Sequence, residues 1–316
     1  MISSGLMICS FFLRKRFGTE LYCLNDKYKT DVCNFDNVID MLMDFCLKHA
    51  TISDDIVNSK VFAIEEGSAK KAETNTYRTI SFVIRSGAYG VESDIVDVQT
   101  EQVKYKRKSI DADIKRFACL VLVPKDVNDI KVNKGIIIFQ TISSCGVKTI
   151  STKYLRTFFS AMGMTFETRS VSARIFMEKL INTGALYKLT LINNKISPDK
   201  SDSMLISSGR EEKTYLKPQL KQTWKDKFLN IVEKKSETDI LEFGENAFDD
   251  VRVTFKLGEH YRTVTLSNID KFSVVEELPD SVYKKSLTDE NVLLDYMTET
   301  ALEYKDKMVF AVNNER

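Results

Sequence analysis

Histidine and tryptophan are scarce in this chain, with two of the first and one of the second in 316 residues. His49 and His260 are far apart in sequence, and neither stands beside Cys145, the cysteine that precedes a glycine. The GxSxG elbow of α/β hydrolases is missing. Neither the GxxxxGK[ST] nor the GxGxxG phosphate-binding spacing occurs. The six cysteines form no CxxC pair, which argues against a zinc centre or a dithiol redox site. No apolar run reaches the roughly 20 residues that a membrane-spanning helix needs. The sequence also lacks internal repeats and low-complexity tracts. Hydrolase, transferase and nucleotide-cofactor chemistry are thereby disfavoured, and neither a cofactor nor a metal site is expected.

What is present is an ordinary globular composition, 43% hydrophobic and 29% charged, enough for a sizeable core. Three cysteines, Cys9, Cys46 and Cys119, lie in apolar surroundings (MICSFF, DFCLK, FACLVL), as buried free thiols do in a reducing cytosol. The opening stretch carries its RKR cluster after the apolar residues. That is the reverse of a secretory leader, so it reads as a first β-strand and the protein as cytoplasmic, without membrane attachment. Net charge is +1, but residues 100–235 hold 26 basic and 13 acidic side chains, and residues 236–316 hold 9 and 18. A basic middle followed by an acidic end suggests an anionic partner, with the acidic end as an internal competitor for the same surface.

Along the chain, residues 6–13 and 20–24 suggest strands. Asp36 heads a helix whose apolar residues Val38, Met41, Leu42, Phe45 and Cys46 recur at three- and four-residue steps. His49 in its last turn suits the helix dipole. Residues 60–64 make a short strand and 65–75 an exposed loop. Residues 76–85 alternate as a half-buried strand. The tract 86–90 (SGAYG) reads as a turn needing positive φ. Residues 93–98 and 102–106 form a hairpin with Lys104, Lys106, Arg107 and Lys108 on its return. Residues 116–123 and 135–140 are apolar on both faces, as strands in the centre of a covered sheet are. TISSCGVKT then leads into a helix capped by Ser151, where Ser143, Ser144, Gly146, Lys148 and Thr149 offer a weak anion site. Further expectations are a strand at 165–169, a helix at 171–184, strands at 186–192 and 213–218, and a basic helix at 224–234 carrying Trp224. A hairpin turning at 257–259 and a helix over 289–307 close the chain.

Together these predict an α+β fold, a mostly antiparallel central sheet flanked by helices. Its parts are a small N-terminal α+β subdomain (1–70), a basic central domain (76–235) and an acidic hairpin-plus-helix unit (236–316). The GAYG turn, the charged hairpin, the apolar strand ending at Pro124 and GIIIFQ followed by SCGVKT resemble an uncharacterised group of bacterial proteins from mobile or phage-defence loci. The resemblance covers residues 76–193. It implies cytoplasmic antiviral defence and transfers no active-site residue.

The leading expectation is a non-enzymatic component of a bacterial antiphage defence system that binds DNA or RNA. Lys104, Lys106, Arg107, Lys108, Lys148, Lys153 and Arg156 would contact phosphates, with counterion release as the driving term. One alternative is a protein-interaction or self-assembling accessory subunit of a defence complex, whose charge asymmetry joins copies into a homo-oligomer or docks a protein partner. A second is a metal-dependent nuclease using Glu92, Asp94 and Asp97 with Lys104 and Lys106, or Glu242, Asp249 and Asp250 with Lys256. Neither set has the D…ExK order. Cys145 before a glycine is a weak nucleophile candidate.

Overall fold

The computed structural model describes residues 4–29, 34–128, 130–143, 145–170, 177–178, 181, 186–194, 209–219, 221–223, 225–226, 228–229, 241–243, 246–248, 250–257, 260–265, 275–306, 308 and 310. The chain divides into two compact units, Met1–Arg169 with Val275–Arg316, and Ser170–Val274. These bounds differ from divisions near residues 70 and 235, because pairing joins distant segments. The first strand lies against residues 135–142 rather than in a separate N-terminal body.

In the larger unit the elements are β1 (Ser4–Lys15), β2 (Tyr28–Lys29), β3 (Asn34–Phe35), α1 (Val38–Lys48), β4 (Ser53–Asp55), β5 (Lys60–Ile64), β6 (Lys70–Glu73) and β7 (Tyr77–Ala88). They continue with β8 (Ser93–Val96), β9 (Val103–Arg107), β10 (Asp113–Pro124), β11 (Gly135–Ile142), β12 (Cys145–Gly146), α2 (Lys148–Ala161) and β13 (Met164–Ser170). A ten-stranded sheet runs β13-β1-β11-β10-β7-β5-β4, with β6 added to β7 and β12 to β11. The two most apolar runs, β10 and β11, therefore sit in its middle, as their sequence predicts. Residues 65–75 are not wholly loop. β6 pairs with Arg78–Ser81 of β7 while β5 takes the same edge at Ile84–Ala88.

Alternation along the strands sends Cys9, Phe11, Ile80, Phe82, Phe117, Cys119, Ile137 and Phe139 into one core with α1 and α2. Asn37, not Asp36, caps α1, accepting from the backbone of Ile39 and Asp40. Its ring of contacts closes on Phe45, which is 1% exposed. Phe45 meets Phe158 edge-on at 5.4 Å and lies 6.4 Å from Phe62. His49 ends the helix, its Nδ1 2.9 Å from the Phe45 carbonyl and its ring among Phe45, Tyr154 and Phe158. That is a structural histidine. Burial pushes the Cys46 thiol up to about 12 and the Cys119 thiol well above its ordinary value, so both are inert packing groups.

In the smaller unit β14 (Leu186–Asn193), β15 (Glu211–Leu216), β18 (Asp250–Leu257) and β19 (His260–Thr265) form a four-stranded antiparallel sheet, β15-β14-β18-β19. The short strands β16 (Leu241–Phe243) and β17 (Asn246–Phe248) pair beside it in sequence. The helix expected at 171–184 falls largely outside the described residues, and so does Trp224. Back in the larger unit, β20 (Val275–Glu277) pairs with β1, and α3 (Asp280–Ser286) and α4 (Glu290–Lys305) follow. Asp289 caps α4, which packs on β10 and β11 with Leu293, Met297, Ala301 and Tyr304 buried. No helix among the described residues is long and apolar enough to cross a membrane.

Candidate functional site: the basic residues and the β8–β9 arm

The division into units changes the charge argument. The larger unit holds 29 basic and 30 acidic residues, a net of −1, and the smaller holds 17 and 15, a net of +2. The strongly basic segment of the sequence is cut at residues 169 and 170, and neither unit carries a large positive surplus.

The seven candidate phosphate contacts fall in two places. On α2, Lys153 Nζ stands 2.8 Å from Asp55 Oδ1, whose side chain is only 2% exposed. Asn58 holds the other oxygen at 2.9 Å. The Lys153 and Asn58 bonds keep this carboxyl below the usual range, so Lys153 is the counterion of a buried acid. Arg156 donates to the Phe166 carbonyl at 3.3 Å. Lys148 turns toward Cys9, where it partly offsets the rise that burial causes in that thiol. Nor does TISSCGVKT pass straight from strand to helix. β12 intervenes, α2 starts at Lys148, and Val147 caps it with no side-chain bond in place of Ser151. Ser144 lies outside the described residues. Cys145 is half-buried against the core.

The other four candidates sit on β8–β9, a two-stranded sheet separate from the large one. Arg107 anchors its base, donating from Nη2 to the Ala88 carbonyl at 2.6 Å and from Nε to the Asp111 carbonyl at 3.0 Å. Gly90 N–H donates to the Ser109 carbonyl at 2.7 Å across the same base, with Gly90 at φ 99°. Gly87 is not in a turn but inside β7, opposite Ile114. Its glycine is required by close approach of β10, not by positive φ.

Beyond the base the arm is solvent-exposed along both strands. Opposed residues in an antiparallel pair share a face. Ile95 lies opposite Tyr105 on one face and Val96 opposite Val103 on the other, since neighbours along a strand alternate. These four are 44–52% exposed. Asp94 lies opposite Lys106 on the Val96 side, and Lys104 Nζ bonds Asp97 Oδ2 at 3.0 Å. Residues 91–112 hold four basic and five acidic side chains. The lysines of KYKRK thus have carboxylates close at hand.

Asp97 also accepts from the backbone of Gln99 at 2.9 Å and Thr100 at 3.2 Å. The Gln99 bond first, and the Lys104 bond next, hold its carboxyl below the ordinary value. The Tyr105 hydroxyl, then the Lys108 N–H, do the same for Asp111. A carboxylate whose pKa falls on folding stabilises the fold above its unfolded pKa of about 4. That contribution is lost as pH drops through the folded value. The arm should therefore loosen below about pH 4 while the large sheet persists. Loss of the Ile95–Tyr105 cross-strand NMR contact before loss of the β10–β11 contacts would show this; an arm intact after the sheet melts would refute it.

Asp94 and Asp97 of the first set considered for a nuclease are engaged within the arm. Asp97 caps the arm's turn and Asp94 faces Lys106. Asp250 Oδ1 accepts from the Val251 backbone at 2.8 Å, and Asp249 lies outside the described residues. Among the described residues no three His, Cys, Asp or Glu side chains are grouped to hold a metal ion. Between the basic middle and the acidic end, β14 pairs with β18, and Arg116 pairs with Glu290 at 2.7 Å as well as, through Nε and Nη2, with Glu65. The sequence discloses the arm but not the pairing of Ile95 with Tyr105, which depends on the register. Compared with models of known protein families, with curated proteins and with solved structures, the chain matches none.

Proposed function

We propose that this protein is a self-assembling interaction module whose β8–β9 arm docks on the same arm of a second copy. The observation that carries this reading is a pair of exposed apolar cross-strand pairs, Ile95 with Tyr105 and Val96 with Val103, on a hairpin that stands outside the large sheet. A two-stranded hairpin alone is marginally stable in water, so covering either apolar pair gains burial and order together. The charges choose the partner. Glu92, Asp94 and Asp97 lie on and beside β8, and Lys104, Lys106, Arg107 and Lys108 on and beside β9. Two arms stacked about a two-fold axis along their length place each acidic strand against a basic one. The resemblance over residues 76–193 would give such an assembly a place in cytoplasmic antiphage defence.

Sedimentation velocity across 50–500 mM salt tests it. The expected result is a dimer at micromolar concentration that weakens with salt and is lost in Tyr105→Glu without change in circular dichroism. A monomer at every salt and concentration overturns it.

A second reading, phosphate binding through the exposed Lys106 and Lys108, follows from their position on the arm. Steeply salt-dependent binding of DNA or RNA, reduced in Lys106→Glu, would favour it over self-association.

A further inference from the structure

The larger unit also holds a cavity of about 460 Å³ on the sheet face that α4 covers. Its floor is Val83 of β7, Arg116 and Ala118 of β10, and Gln140 and Ile142 of β11. Tyr283, Ser286, Leu287 and Thr288, at the end of α3 and just beyond it, lie over it, with Leu293 of α4 completing the apolar wall. The cavity exists because the sheet splits there. β10 stays paired with β7 over its whole length, but its ladder with β11 stops at Cys119 and Phe139. The Gln140 side chain fills the apex of the split, where its Oε1 accepts from the Ala118 N–H at 2.9 Å and its Nε2 donates to Ser4 Oγ at 3.3 Å.

From this we infer that the cavity is a binding site for a neutral nucleobase or nucleoside. The volume falls within the range of small-molecule sites, and the lining combines apolar walls with a few fixed polar groups. Gln140, 7% exposed, has a second amide hydrogen and a second carbonyl lone pair beyond the two bonds it makes. An adjacent donor and acceptor held in one plane match the hydrogen-bonding edge of a base, as glutamine matches adenine in DNA recognition. The charge of the wall rules against a phosphate. Arg116, the one cation lining it, donates from Nε and Nη2 to Glu65 at 2.7 Å and from Nη2 also to Glu290 at 2.7 Å. An anion there would face two carboxylates for one guanidinium.

Isothermal titration of the full chain with adenosine, uridine and AMP tests the assignment. We expect at least one nucleoside to bind with a submillimolar Kd and AMP at least tenfold more weakly than adenosine. Gln140→Glu keeps the acceptor for Ala118 N–H but removes the free donor, and should weaken binding about tenfold. Ser286→Trp fills the cavity from its exposed side and should abolish it without disturbing Gln140. No binding of either nucleoside at millimolar concentration overturns the inference. So does AMP binding as tightly as adenosine, or a Ser286→Trp protein that binds like the parent.

Discussion

Replacing Gly87 by alanine should cost about 3 kcal/mol or more in stability, one of the largest effects of any single methyl group in this fold. A Cβ at Gly87 would lie 2.1 Å from the Asp113 carbonyl oxygen, 2.4 Å from its carbon and 2.7 Å from the Ile114 nitrogen. All three are backbone atoms, so no side-chain rotation relieves the clash. Either β10 moves away from β7 or β7 twists and gives up its pairing. Gly87 is also opposite Val61 of β5, which limits movement to the other side. The damage should spread toward the arm, because Ala88 supplies the carbonyl that anchors Arg107. Urea unfolding would measure the loss, and a Gly87→Ala protein within 0.5 kcal/mol of the parent, the ordinary scatter of surface substitutions, would contradict this account.

Phe45→Ala should be comparably severe for a different reason. The ring joins α1 to Phe62 of β5 and Phe158 of α2, so its removal leaves a cavity where three elements meet. Rigid strands on one side prevent the site from collapsing. Truncation of a buried phenylalanine costs about 3–5 kcal/mol, which in a unit of this size lowers Tm by roughly 6–20 °C. Phe45→Leu, which refills most of the volume, should recover more than half of that. Equal losses in the two variants would show that ring geometry rather than volume sets the cost.

These two positions also mark what the sequence could and could not disclose. Phe45 was legible, because helical spacing from Val38 to Cys46 puts it on the buried face. The apolar runs at 116–123 and 135–140 announced central strands through composition alone. Gly87 was misread as a turn residue, since the close approach of β10 depends on a pairing partner that its neighbours do not encode. β6 was missed because KKAE has an exposed, charged strand's composition; the free edge of β7 supplies its order. The pairing of β1 with β11 spans more than a hundred residues and leaves no local trace, so the N-terminal segment looked like a body of its own. The candidate site suffered most. Lysine spacing shows where positive charge gathers in sequence, and the hairpin already sets Asp97 across from Lys104, but Asp55 beneath Lys153 becomes visible only in three dimensions.

The central claim is that the β8–β9 arm joins copies of this chain. Gly90 and Ser109 are hydrogen-bonded across its base, so residues 91–106 can be replaced by a short Gly-Ser turn that leaves Arg107 bonded to Ala88. Light scattering of the parent and the armless protein over a concentration series at low salt is the most direct measurement. The account predicts a parent that dimerises and an armless protein that stays monomeric with an unchanged melting temperature of the large sheet. An armless protein that associates as readily as the parent would contradict it.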